Sequence, residues 1–188
     1  MKKIEDFNAE DRIDVKLLEK SVHFLAGTID EDSTLKAVKW IVYENLDSRQ
    51  DKTLTLYVNS SGGDLYQAFA IIDAMRSSQF PIRTIGLGQV MSAAFLIFAS
   101  GTRGERYIAQ NTGIMCHQFT DSIENKYHDI RSAMKEAENS NDRMLAILEQ
   151  ATGLPRSKIK SKLLGASDSY LTAEEMVSLG AADHLLAG

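Results

Sequence analysis

The sequence predicts an α/β fold, in which helices cover a largely parallel β-sheet. Short apolar runs alternate along the chain with segments whose apolar residues recur at helical spacing, as expected for strands joined by crossover helices. The chain has 188 residues, 44% of them hydrophobic, which suits one domain with a core that needs neither disulfides nor metals. It has only two prolines and no Ser/Gly/Pro-rich linker, so we expect a single domain over residues 1–188.

The first half of the chain predicts three apolar strands, each followed by a helix. The strands are predicted at 22–25, 54–58 and 82–87. The first helix begins at Ser33, a candidate N-cap, and the next two span 64–76 and 92–99. The order of these elements favours parallel pairing.

The second half predicts two short strands and then mainly helices. The strands are predicted at 107–108 and 113–117. A long amphipathic helix over 129–150 follows, with Gly153 placed to terminate it. A lysine-bearing helix runs from Pro155 to about Leu164, and Thr172 with Glu175 forms a capping box for a last short helix.

Charge and cysteine content narrow the possible functions. The formal charge is −5 and no basic stripe occurs, which argues against nucleic-acid binding. One cysteine, Cys116, excludes an internal disulfide and fits a reducing compartment. The N-terminus lacks the apolar core of a signal peptide, and the longest apolar stretch, 93–99, is too short to span a bilayer. We therefore expect a cytoplasmic protein that does not act at membranes, and the spacing of its His, Cys and acidic residues predicts no metal site.

A glycine-containing segment, Asn59-Ser60-Ser61-Gly62-Gly63-Asp64, lies between a predicted strand and a predicted helix. Such a turn can present backbone N–H groups to a phosphate or to a developing oxyanion. No Lys-Ser/Thr follows the glycines and no G-x-G-x-x-G pattern occurs, which disfavours phosphate binding. An ordinary tight turn remains the structural alternative.

Three further residues are candidates for chemistry, although each has a structural alternative. Ser92 begins an apolar helix and could simply cap it, and it lacks the Gly-x-Ser-x-Gly elbow. His117 ends an apolar run, where a lone histidine is more often structural, and Asp168 lies in a loop where a carboxylate usually only solvates a turn. Cys116 is an unsuitable nucleophile for His117, because adjacent side chains of a strand point to opposite faces.

Four segments in order resemble ClpP, the caseinolytic peptidase subunit of the ATP-dependent Clp proteases. They are Leu-Tyr-Val-Asn-Ser-Ser-Gly-Gly at 56–63, Gly-Gln-Val-Met-Ser-Ala-Ala at 88–94, Met-Cys-His-Gln at 115–118 and Asp-Ser-Tyr-Leu-Thr-Ala-Glu-Glu at 168–175. The spacing matches too, with 29 positions from Gly63 to Ser92 and 25 from Ser92 to His117. The resemblance covers about 22–186.

The resemblance implies a ClpP/crotonase-like fold of repeated β-β-α units, with a protruding handle at about 118–150 and an N-terminal segment, 1–20, in the position of the axial loops. It implies a serine endopeptidase without a cofactor, with Ser92 as nucleophile, His117 as base and then acid, and Asp168 orienting the imidazole. The N–H groups of Gly63 and Ala93 would form the oxyanion hole. Substrate would bind along Asp64, Leu65, Gln118 and Phe119. Family members form heptameric rings, stacked in pairs around a chamber, which an AAA+ unfoldase supplies with unfolded polypeptide.

The sequence departs from the family pattern in several segments. Ser61 replaces a proline, Ala93 commonly is methionine, and 119–125 lacks the glycines of the family's handle. Ala166-Ser167 stands where the family has an acid–Arg pair that contacts the opposite ring. We therefore expect the rings to stack by different contacts or less stably.

Three other functions are compatible with parts of the pattern. The chain could be a catalytically inactive or partner-activated structural subunit of a ring. It could be a specialised processing protease with an altered assembly. The related crotonase-type enzymes use a similar oxyanion hole for acyl-CoA thioesters, but they rely on acids and lack this Ser/His/Asp order.

Overall fold

The computed structural model describes residues 8–46, 51–118 and 126–186, and it confirms the α/β prediction. Within this part of the chain seven strands form one sheet: β1 Val22–Ile29, β2 Leu54–Gly63, β3 Ile82–Met91, β4 Arg106–Ile108, β5 Gly113–Cys116, β6 Ser169–Leu171 and β7 His184–Leu185. Seven helices accompany them: α1 Ala9–Glu19, α2 Glu31–Asn45, α3 Leu65–Ser77, α4 Ala93–Ala99, α5 Tyr127–Thr152, α6 Arg156–Lys162 and α7 Ala173–Ser178.

The strands follow the order β1-β2-β3-β4-β7, all parallel. Strand β3 forks: Thr84–Gly86 pairs with β4, whereas Gln89–Met91 pairs with β5. Gly88 lies at the fork with φ +64°, and a Cβ there would lie 2.6 Å from the side-chain oxygen of Asn59. The fork therefore requires glycine, and it carries the end of β3 away from β4.

Helix α4 forms the centre of the core. All of its residues, Ala93 to Ala99, are buried, and it packs against β2, β3 and α5. Phe95 is fully buried, whereas Tyr57 is half-buried and stacks on Phe24 with ring centroids 4.7 Å apart. The uniformly apolar sequence of α4 thus reflects burial on every side.

Helix α5 extends the predicted 129–150 helix by two residues at each end, and Gly153 caps it in the left-handed conformation, with φ +75°. Met144 and Leu148 lie in its second half and are buried in the core. The described side chains of the first half are mostly exposed. The helix is therefore anchored at its C-terminal end.

Several elements differ from the sequence prediction. The N-cap of α2 is Asp30, and the predicted cap Ser33 instead occupies the third helical position. The Ser33 hydroxyl accepts from the N–H of Asp30, and the Asp30 carboxylate accepts from the N–H of Ser33. Strands β2 and β3 continue to Gly63 and Met91, beyond their predicted ends, because irregular register keeps the glycine segments paired. Helix α1 and strands β6 and β7 had not been predicted.

Arg106 joins three elements of the core from a fully buried position. Its Nε and Nη2 donate to the Asp183 carboxylate at 2.8 and 2.7 Å. Its Nη1 donates to the carbonyls of Ala99 and Ala151, near the C-terminal ends of α4 and α5, where backbone carbonyls lack helical partners. Burial alone would raise the pKa of Asp183, but the hydrogen bonds and charge of Arg106 outweigh it and hold that pKa below its ordinary value.

Candidate active site

Ser92 occupies a strained turn between β3 and α4. Its backbone has φ +53° and ψ −124°, a conformation that costs a residue other than glycine about 1–3 kcal/mol. Its N–H donates to the carbonyl of Met115 at 2.9 Å, which fixes the turn against β5. Its side chain makes no capping bond to α4, so the alternative that Ser92 merely caps this helix is wrong. The hydroxyl is directed to another partner.

That partner is His117, the first residue after β5. Its Nε2 lies 2.8 Å from the Ser92 Oγ, within hydrogen-bond distance. Its Nδ1 lies 3.5 Å from Oδ1 of Asp168, longer than an N–H···O hydrogen bond of about 2.7–3.2 Å. The three side chains that were predicted to act together thus lie next to one another in the order Ser92, His117, Asp168, and the contact between His117 and Asp168 is too long for a hydrogen bond.

The pairing of β5 with β6 explains how Asp168 reaches this position. The strands are antiparallel, with Cys116 opposite Ser169. Consequently the residue after β5, His117, and the residue before β6, Asp168, are neighbours although they are 51 positions apart in the sequence. The sulfur of Cys116 itself is buried, which raises the pKa of the thiol to about 12 and leaves it unreactive at neutral pH.

The paired glycines pack directly against the serine turn. Gly62 has φ +103°, and a Cβ there would lie 2.7 Å from the Cβ of Ser92 and 3.1 Å from the backbone nitrogen of Ala93. A Cβ on Gly63 would collide with the backbone of Ile29. Gly63 and Ala93, the predicted oxyanion donors, both line the pocket beside Ser92. As the first helical residue, Ala93 has an N–H with no acceptor inside α4.

The pocket beside Ser92 has a volume of about 230 Å³. Of the predicted substrate-binding residues, Asp64 and Leu65 line it, and the Asp64 carboxylate also caps α3 by accepting from the N–H of Gln67. Gln118 lies instead along a groove beside α5 and α6, where its amide donates to the carbonyl of Leu164. Phe119 lies outside the described residues.

Four further residues line this pocket that sequence reasoning did not single out: Tyr66, Leu96, Ser140 and Met144. They belong to α3, α4 and α5, and their helical spacing alone indicates only which face is buried. The sequence signal that could have drawn attention to this pocket is Ser140, a serine among the apolar residues that recur at helical spacing in α5.

Within the described residues, no group of three His, Cys, Asp or Glu side chains is arranged to hold a metal ion. No helix in that part of the chain combines the length and the apolar character that a membrane crossing requires. In a comparison with protein families, the model described as Clp protease matches residues 6–188.

Proposed function

Because this chain belongs to the Clp protease family, a family of peptidases, we propose that it is a serine endopeptidase in which Ser92, His117 and Asp168 form the catalytic triad. The observation that carries the proposal is the 2.8 Å contact between the Ser92 Oγ and the His117 Nε2. A nucleophile and a base within hydrogen-bond reach are the first requirement of acyl transfer by serine. The strained backbone of Ser92 supports the same role, because such strain concentrates at functional residues.

The reaction would proceed through an acyl-enzyme. The Ser92 Oγ attacks the peptide carbonyl carbon as Nε2 of His117 removes its proton, and the C–N bond breaks as the same nitrogen protonates the leaving amine. Water then enters, His117 removes its proton, and the ester is hydrolysed to the free acid and serine. The N–H groups of Gly63 and Ala93 would hold the oxyanion in both steps. Asp64 and Leu65 after Gly63, and Gln118 and Phe119 after His117, would hold the extended substrate by hydrogen bonds to its backbone.

Asp168 would fix the tautomer of His117 that leaves Nε2 unprotonated. In the reacting complex, we expect the 3.5 Å separation from Nδ1 to shorten to about 2.7–2.9 Å, the range of a charge-assisted hydrogen bond. The carboxylate is about half exposed, so it can move without disturbing the core. This open contact also favours the second candidate, a ring subunit that becomes active only when a partner closes the triad.

Self-assembly is part of the proposal. Helix α2 and its C-cap residue present four large apolar side chains to solvent that the remaining described residues leave uncovered: Leu35, Val42, Tyr43 and Leu46. An apolar face of this kind usually marks an interface between proteins. We infer heptameric rings, stacked in pairs through a handle at about 118–150, with residues 1–20 near the axis of a single-domain subunit and an AAA+ unfoldase as partner. The buried thiol of Cys116 fits a reducing cytoplasm.

Labelling with a fluorophosphonate probe tests the chemistry directly. We expect mass spectrometry to locate the label on Ser92, and expect Ser92→Ala to abolish it and to lower peptide hydrolysis on the order of 10⁴–10⁶-fold. Ser100→Ala, at the opposite end of α4, serves as the matched control and should label normally. Label that appears only after an unfoldase is added would identify the partner-activated subunit. Absence of label in both conditions would refute the triad.

Sedimentation of the purified protein at low and high salt tests the assembly. Because Ala166-Ser167 lacks the usual acid–Arg pair, we expect double rings to separate into single rings more readily than the family pattern implies. A double ring that persists at high salt would contradict this expectation.

A further inference from the structure

The enclosed end of the pocket beside Ser92 is formed by buried side chains of α4 and α5. Leu96, Ser140 and Met144 are only 1%, 3% and 3% exposed. Tyr66 and Asp64, by contrast, are exposed and form part of its open side. A side chain that enters from the Ser92 side would therefore meet two apolar groups and one hydroxyl.

The Ser140 hydroxyl has no protein partner among residues 8–46, 51–118 and 126–186. A serine inside a helix often donates to the carbonyl four residues earlier, as Thr152 of the same helix does to Leu148. Ser140 makes no such bond, and its oxygen does not belong to the described side-chain atoms that are buried without a partner, so the hydroxyl is accessible from the pocket. A hydroxyl that lines a pocket in this state can donate to or accept from a ligand.

The open side of the pocket is fixed in shape by contacts between α3 and α5. The Tyr66 hydroxyl donates to Oε1 of Glu136 at 3.1 Å, and Arg143 donates to the same oxygen at 2.6 Å. The Arg143 guanidinium also lies 5.6 Å from the ring centroid of Phe69. These bonds hold the Tyr66 ring in place, so the pocket is formed before a substrate arrives.

We propose that this pocket receives the substrate side chain on the acyl side of the scissile bond and selects glutamine, whose amide bonds to the Ser140 hydroxyl while its methylene groups contact Leu96 and Met144. The inference rests on the proposed peptidase function and specifies its substrate. A glutamine amide both donates and accepts, and so matches a hydroxyl in either orientation.

Other side chains fit these surroundings less well. Leucine would displace water from the Ser140 hydroxyl without replacing the hydrogen bond, which lowers affinity. A charged side chain would meet no opposite charge at the enclosed end, where the lining residues Leu96, Ser140 and Met144 are all neutral. Asp64, a carboxylate that also lines the pocket, is exposed and already caps α3.

Three quenched fluorescent peptides that differ only at this position, with glutamine, leucine or glutamate, test the proposal. We expect the wild type to cleave the glutamine peptide with the highest kcat/KM. Ser140→Ala should slow cleavage of the glutamine peptide and so lower the glutamine-to-leucine ratio roughly three- to tenfold, the effect of one neutral hydrogen bond. Ser140→Thr, which keeps the hydroxyl, should retain most of the ratio.

Ser132→Ala is the matched control, because Ser132 is exposed on the same helix and does not line the pocket. It should leave the ratio unchanged. Alanine favours helix more than serine does, so neither alanine variant is expected to unfold α5. If Ser92 accepts a fluorophosphonate label but Ser140→Ala leaves the ratio unmoved, the specificity inference fails alone. If Ser92 takes no label, the peptidase proposal fails and the specificity inference fails with it.

Discussion

Replacing Ser92 by glycine should leave the protein more stable than replacing it by alanine, although both changes remove the same hydroxyl. The φ of +53° and ψ of −124° cost alanine about 1–3 kcal/mol, and glycine little. The lost hydrogen bond to His117 is common to both variants and cancels. Glycine has the larger unfolded-state entropy, which costs about 0.4–1 kcal/mol. The glycine variant should therefore be more stable by about 1 kcal/mol.

Urea unfolding followed by circular dichroism measures this difference, with both variants at the same protomer concentration because self-association shifts apparent stability. For a chain of this size, about 1 kcal/mol corresponds to a difference of roughly 2–4 °C in Tm.

Ser100 provides the control, since it follows the same helix with an ordinary φ of −81°. There, glycine should be less stable than alanine. If the two Ser92 variants unfold at the same urea concentration, or the glycine variant unfolds first, the turn stores no strain and the reasoning is refuted.

Three further predictions concern the buried groups. Arg106→Met removes the guanidinium that is bonded to the Asp183 carboxylate and to two helix carbonyls, and leaves the carboxylate only the backbone N–H groups of Gly104 and residue 106. The free energy of unfolding should therefore fall by about 3–5 kcal/mol in urea, and a loss below about 1 kcal/mol would contradict this. The pKa of Asp183 is lowered in the folded state, so its contribution to stability is complete above the unfolded carboxyl pKa of about 3.9 and is lost as the pH falls through the folded value. Asp183→Asn should reduce the dependence of unfolding free energy on pH in that acid range, and an unchanged slope would show that other groups cause it. Burial raises the pKa of Cys116 to about 12, so iodoacetamide at neutral pH should modify it only after unfolding, as mass spectrometry can verify; alkylation of the folded protein would contradict its burial.

Local patterns were sufficient to predict most strands and helices. The apolar runs at 54–58 and 82–87 form the first parts of β2 and β3, and Gly153 ends α5 in the left-handed conformation. The ends of β2 and β3 could not be predicted, because the apolar runs stop at Val58 and Leu87 whereas strand pairing continues beyond them through irregular register. Helix α1 has apolar residues at helical spacing, Ile13 and Leu17, but it buries no side chain, and no helix was predicted there.

Part of the candidate site could likewise be predicted from the sequence, and part of it could not. Ser92, His117 and Asp168 were recognised from motifs whose order and spacing are visible in the sequence. The pocket could not be predicted, since Leu96 and Ser140 come from different helices and meet only through tertiary packing. The capping role of the Asp64 carboxylate was also missed, because the substrate-binding assignment came from resemblance rather than from local geometry.

The buried pair of Arg106 and Asp183 has a consequence for the order of events during synthesis. The two residues are 77 positions apart, so at 5–20 residues per second a ribosome adds the second about 4–15 s after the first. During that interval the guanidinium lacks its counterion and must remain hydrated, which keeps the ends of α4 and α5 from closing over it. We therefore expect the nascent chain to hold α4, and the serine at its start, in an unfinished core until this late segment emerges. On this order of events, we expect the hydroxyl of Ser92 to reach its final position only after the C-terminal segment has been made.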